Sequence, residues 1–194
     1  RQQIELFERG ATGNIRDLAI KVAQNPAMLY FLDAQYNVKG APNENFAREV
    51  MELFTMGVGN YTEQDVRECA RAFTGWYFDD LTFKIDAAKH DDGAKTFLGR
   101  SGNFGGVEVL RIIFEQPVTA EFLAGKIYRF LVRDELSPAL KTKLGAVLRQ
   151  HDYEVKPLLT AILSAKDFYS QASYGGHIKG PVEHYIAMLK HLGA

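Results

Sequence analysis

The richest run of polar side chains is Asn43-Glu44-Asn45-Phe46-Ala47-Arg48-Glu49-Val50-Met51-Glu52. Read as a helix, it sets Asn45, Glu49 and Glu52 along one flank at i, i+4 and i+7. Glu44, Arg48 and Glu52 form a second line at i, i+4 and i+8. Two carboxylates three residues apart can share a divalent metal, a proton or a guanidinium. In that chemistry Glu49 or Glu52 is a metal ligand or general base, and Arg48 orients them or clamps an anion. Asn43, Glu44 and Asn45, at the helix start, suit ligand oxygens. The competing reading is a solvated face whose Glu44–Arg48 and Arg48–Glu52 pairs contribute about 0.2–0.5 kcal/mol each.

A second cluster is His90-Asp91-Asp92-Gly93-Ala94-Lys95-Thr96. His90 and Asp91 can bind a divalent metal or move a proton, and Lys95 can balance an anion. The competing reading is a polar turn with Asp92-Gly93 at its tip. If the two clusters converge, Glu49, Glu52 and His90 make an acid–base site, or the same three with Asp91 a metal site. Trp76 could stack on a sugar ring, although a buried indole is the commoner use. The glycine-rich run Gly99–Gly106 precedes a helix but lacks the order of a phosphate-binding loop. His151, His177, His184 and His191 share no metal-ligand spacing. No Gly-x-Ser-x-Gly or His-Glu-x-x-His is present, so nucleophilic hydrolysis has no support.

The elements that must position these groups are mostly helical. Asn14 precedes the stripe Ile15, Leu18, Ala19, Val22, and Asn25-Pro26 opens the next helix as cap and first residue. Asn43 caps the polar helix, whose expected core face is Phe46, Val50, Leu53 and Phe54. Thr62 and Asp65 form a capping box ahead of Val66, Cys69, Ala70 and Phe73, with Gly75 as terminator. Helical periodicity then disappears over residues 76–106, where Trp76–Phe78 and Leu81–Ile85 alternate like strands. Helices resume at Val109, with Thr119, Ser137-Pro138, Asp152 and Gly180-Pro181 as further openings. The fold class is all-α: a single multi-helix domain over 1–194, or the C-terminal fragment of a larger one, with a β-hairpin and long loop inserted at 76–106.

Composition limits the partners. In 194 residues there are 23 Lys+Arg against 24 Asp+Glu, a net charge of −1 that offers nucleic acid no overall positive field. The single cysteine, Cys69, rules out an intramolecular disulfide and a Cys-based zinc site. No run of 18 apolar residues exists, so no transmembrane segment is expected in this chain.

Several runs resemble the bacterial family called domain of unknown function 1800. They are Pro26-Ala27-Met28-Leu29, the stretch from Pro42 to Gly57, Tyr61-Thr62-Glu63-x-Asp65-Val66 and Ala70–Trp76. His90-Asp91-x-Gly93-x-Lys95-Thr96-x-Leu98-Gly99 and Lys179–Glu183 complete the set. The resemblance covers nearly the whole chain and looks like the C-terminal part of a longer member. Two departures stand out: the family often has Leu at Val50 and His at Phe54. The resemblance implies a largely helical, exported protein, periplasmic or extracellular, and supplies no established activity.

Two expectations follow. In the first, Glu49, Glu52, His90, Asp91 and Lys95 surround an oxygen-rich small molecule, a glycan or organic anion, with or without a divalent metal. In the second, the polar residues form a buried network in a non-enzymatic structural module or one that binds a protein partner. The first requires the two clusters to meet.

Overall fold

The computed structural model describes residues 1–175 and 178–193; His177 lies outside them. Among these residues the chain forms ten α-helices: α1 (Gln2–Gly10), α2 (Ile15–Ala23), α3 (Pro26–Phe31), α4 (Asn45–Glu49), α5 (Glu63–Ala72), α6 (Gly106–Glu115), α7 (Pro117–Leu131), α8 (Pro138–Gln150), α9 (Val155–Leu163) and α10 (Pro181–Leu192). Two antiparallel hairpins lie between α5 and α6: β1 (Trp76–Asp79) with β2 (Thr82–Ile85), and β3 (Lys95–Phe97) with β4 (Arg100–Gly102). The fold is mainly all-α with a small β insertion. No described helix is long and apolar enough to cross a membrane.

The local chemistry of the caps explains most helix starts. The Asn14 side chain accepts from the N–H groups of Arg16 and Asp17, Asn25 from Ala27, and Ser137 from Leu140. Thr62 and Asp65 form the full reciprocal capping box. Thr119, expected as a cap, instead sits inside α7, where its hydroxyl donates to the Ile113 carbonyl at 2.6 Å; Gln116-Pro117 opens that helix.

The helix expected over the Asn43 run does not stay α-helical. It opens at Val50 into a π-helical turn, Val50–Thr55, in which the Met56 N–H reaches five residues back to the Met51 carbonyl at 2.8 Å. The wider turn rotates the faces. Met51 and Thr55 become buried, while Leu53 and Phe54, expected in the core stripe, are 48 % and 42 % exposed.

Both hairpins turn on two residues with positive φ: Asp80-Leu81 at 45° and 58°, Leu98-Gly99 at 46° and 77°. This is the backbone that tight two-residue hairpin loops demand. The second hairpin occupies part of the expected long loop. Gly75 (φ +77°) seats the insertion: its N–H donates to the Asn37 carbonyl and its carbonyl accepts from Asp86 N–H. A Cβ there would lie 2.5 Å from the Asp86 carbonyl oxygen, so only glycine fits.

Apolar side chains gather in two clusters. One joins α2–α6 with the hairpins around Phe46, Phe73, Trp76 and Phe83, whose successive rings meet edge to face at 4.9 Å. The other joins the end of α6 to α7, α8 and α9 around Phe114, Leu123, Leu148 and Leu158. Gly145 lets α8 approach α7, since a Cβ there would stand 2.9 Å from the Glu121 backbone.

Candidate functional site

The first polar cluster is spent on joining elements. Arg48 grips Glu63 at the start of α5 with two bonds, of 2.9 and 2.7 Å, and also reaches Glu44 at 3.2 Å. This pairing raises the Arg48 pKa and lowers that of Glu63. The Asn43 side-chain oxygen accepts from the Asn45 N–H at 3.0 Å, and the Asn43 N–H donates to the side-chain oxygen of buried Asn37 at 2.9 Å. Asn45 donates to the Leu32 carbonyl at 3.2 Å. Glu52 accepts from the Tyr61 hydroxyl at 2.8 Å; burial and this carboxylate push the phenol up to about 12. Glu49, partly buried on α4, has no hydrogen-bond or ion-pair partner among the described residues.

The second cluster is a clamp. Arg71, in the last turn of α5, holds Asp91 through Nε–Oδ2 at 2.8 Å and Nη2–Oδ1 at 3.2 Å, and Glu68 through Nη1 at 2.7 Å. The guanidinium beside Asp91, aided by the Gly93 N–H, holds that carboxyl down at about 2. The Lys95 side chain is buried, and its ammonium donates to the carbonyls of Asp91 at 2.5 Å and Gly93 at 3.0 Å. Desolvation lowers its pKa. Thr74 gives its hydroxyl proton to the Arg71 carbonyl and accepts from the Asp91 N–H at 2.8 Å. His90 Nδ1 lies 2.8 Å from the Thr74 carbonyl, an acceptor only, so Nδ1 carries the proton.

The two clusters are anchored on opposite ends of α5, Arg48 on Glu63 and Asp91 on Arg71. Glu63 and Arg71 are eight residues apart on α5, about 12 Å along its axis. Among the described residues no hydrogen bond or ion pair joins Glu49 or Glu52 to His90 or Asp91, and no group of three His, Cys, Asp or Glu side chains is arranged to hold a metal ion. The set Glu49, Glu52, His90 and Asp91 expected to ligate a divalent ion is therefore not assembled. Each carboxylate is drawn elsewhere, Asp91 to Arg71 and Glu52 to Tyr61. Two further expectations are corrected. Trp76 is 2 % exposed among Phe46, Phe73 and Phe83, with no face for a sugar. Lys95, expected to balance an anion, is buried and gives two of its three ammonium protons to backbone carbonyls. Before α6 the Gly105 N–H donates to the chain's own Glu108 at 3.2 Å.

A family model described as Protein of unknown function (DUF1800) matches residues 1–193. The chain belongs to that family. Comparison with curated proteins gives no match, and comparison with solved structures gives none. In this DUF1800 chain Arg48, Glu63, Arg71 and Asp91, which join α4 to α5 and α5 to the ribbon, fall within the runs 42–57, 61–66, 70–76 and 90–99.

Sequence reasoning passed over Asn37, Glu68 and Thr74, all buried and polar. Asn37 donates to the Ala70 carbonyl at 2.7 Å and Glu68 accepts from Gln64 at 3.0 Å. The spacing of Gln64, Glu68 and Arg71 at i, i+4 and i+7 was the available signal. It also passed over an apolar cavity of about 270 Å³ in this DUF1800 chain, walled by Phe7, Ala19, Val50, Phe54, Phe114 and Leu123 among others. Every lining side chain apart from Thr55 is apolar, and the Thr55 hydroxyl is committed to the Val50 carbonyl at 2.6 Å. The π-turn thus contributes three walls, Val50, Phe54 and Thr55. Phe54 makes this wall apolar. Cys69 is fully buried, and burial pushes its thiol up, so it is no nucleophile.

Proposed function

We propose that the chain is a non-enzymatic binding module, its charged residues serving architecture and its binding capacity residing in apolar surface. One observation carries this reading: the two charges of the inserted ribbon singled out by sequence are used internally, Asp91 on Arg71 and Lys95 on two backbone carbonyls. A catalytic acid, base or metal ligand needs a side chain that can change partners during reaction, and these are held by several partners at once. Hydrogen exchange on Arg71→Met tests it. Protection should fall across residues 86–97 while α7–α9 stay protected; unchanged protection in the ribbon would end the reading.

A second reading keeps an oxygen-rich ligand, glycan or organic anion, at Glu49. What favours it is that this partly buried carboxylate has no partner among the described residues. Binding of a glycan or carboxylate library to the native chain, lost in Glu49→Gln, would support it. On the strength of the family resemblance we place the protein outside the cytoplasm, in the periplasm or extracellular space. Fractionation of bacteria expressing the natural gene tests that placement.

A further inference from the structure

We infer that the cavity between α2, the π-turn, α6 and α7 holds the alkyl chain of a medium-length fatty acid, with Lys126 receiving its carboxylate. This deepens the reading of the chain as a binding module and rests on it.

The size fits. A cavity of about 150 Å³ takes a benzene ring, so by the same ratio 270 Å³ takes roughly ten carbons. The lining excludes water as a settled occupant, because a water molecule needs two to four polar partners and the Thr55 hydroxyl is already engaged. An apolar chain loses nothing there and gains contact with Ala19, Val50, Phe114 and Leu123. Phe7 and Phe54 both line the cavity and are 45 % and 42 % exposed, so they mark its open edge.

A partner for the head group stands beside two of the lining residues, Phe54 and Leu123, without itself lining the cavity. Lys126 follows Leu123 by one helical turn on α7, and its ammonium donates to the carbonyl of Leu53, the neighbour of Phe54, at 2.8 Å. It also lies 5.0 Å from the centre of the Phe122 ring. An ammonium has three protons, and the Leu53 carbonyl takes one. The remaining two face an exposed setting where a carboxylate can join without burying an unpaired charge. The π-turn links both features: its walls line the cavity and its Leu53 carbonyl holds the lysine.

Calorimetric titration with decanoate, kept below its micelle concentration, tests the inference on the native chain. Saturable one-to-one binding is expected, with affinity rising from hexanoate to decanoate and levelling off for longer chains. Ala19→Phe fills the cavity and should abolish binding while the protein stays folded by circular dichroism. Lys126→Met, at an exposed position, should weaken decanoate by about fivefold and leave decanol unchanged. Absence of saturable decanoate binding by the native chain overturns the inference, as does a folded Ala19→Phe that binds normally. If Ala19→Phe does not fold, an unchanged decanoate affinity in Lys126→Met overturns it instead. Failure here leaves the ribbon-clamp reading standing, because hydrogen exchange in Arg71→Met reads that reading alone.

Discussion

Arg71 and Asp91, twenty residues apart, meet through two bonds of 2.8 and 3.2 Å, and that contact fastens the inserted ribbon to α5. Their side chains are 26 % and 17 % exposed, so water screens the pair only in part. Removing the guanidinium leaves Asp91 with only the Gly93 N–H and the nearby Lys95 charge, and Glu68 with only Gln64. Arg71→Met is expected to cost about 2–4 kcal/mol. Adding Asp91→Asn to it should cost less than the sum of the two single changes. Urea unfolding of the four proteins closes that cycle.

The same contact sets an acid dependence. The Asp91 carboxyl, near 3.8 in the unfolded chain, sits at about 2 in the fold because Arg71 bonds its charged form. A depressed folded value means that the stabilisation is complete above the unfolded value and is lost as pH falls through 3.8 towards 2. Its full size is about 2 kcal/mol. Other paired carboxyls titrate in the same window, so the comparison to make is native against Asp91→Asn. The stability gap between them should be widest above pH 5 and close by pH 2.

Helix positions were legible because caps and apolar stripes are local: Asn14, Asn25-Pro26 and Thr62–Asp65 act where the sequence places them. The π-turn was not. A wheel at 100° per residue assumes four-residue bonds, and nothing in Val50–Thr55 announces five-residue ones. The candidate residues were legible as polar clusters, but their partners were not, since Glu63 for Arg48 and Arg71 for Asp91 come from distant stretches. A charge pattern reads along one helix and is blind to the next. The cavity, built by side chains from seven elements, has no linear signature at all.

Two glycines with the same φ of +77° separate backbone strain from crowding. At Gly99 nothing lies within 4 Å of an added Cβ, so Gly99→Ala should cost only the left-handed conformation, about 1–2 kcal/mol. At Gly75 the added atom also meets the Asp86 carbonyl at 2.5 Å and the His90 nitrogen at 3.1 Å. Gly75→Ala should therefore cost about 1–3 kcal/mol more than Gly99→Ala. Thermal melts of the pair measure the difference, and equal costs would mean that the ribbon does not rest on Gly75.

Glu49 and Asp91 were paired by expectation and are separated by the fold, which makes them opposite cases under neutralisation. Asp91→Asn gives up a charged bond to Arg71, while Glu49→Gln gives up no internal partner. Glu49→Gln should hold native stability within about 0.5 kcal/mol. Because the proposed ligands are not assembled, Ca²⁺, Mg²⁺, Mn²⁺ and Zn²⁺ should not shift the melting temperature of either the native chain or this variant. A rise with any of these ions in the native chain that Glu49→Gln removes would mean that the α4 carboxylates reach a ligand set the fold does not show. Silence in both leaves Glu49 without a metal role.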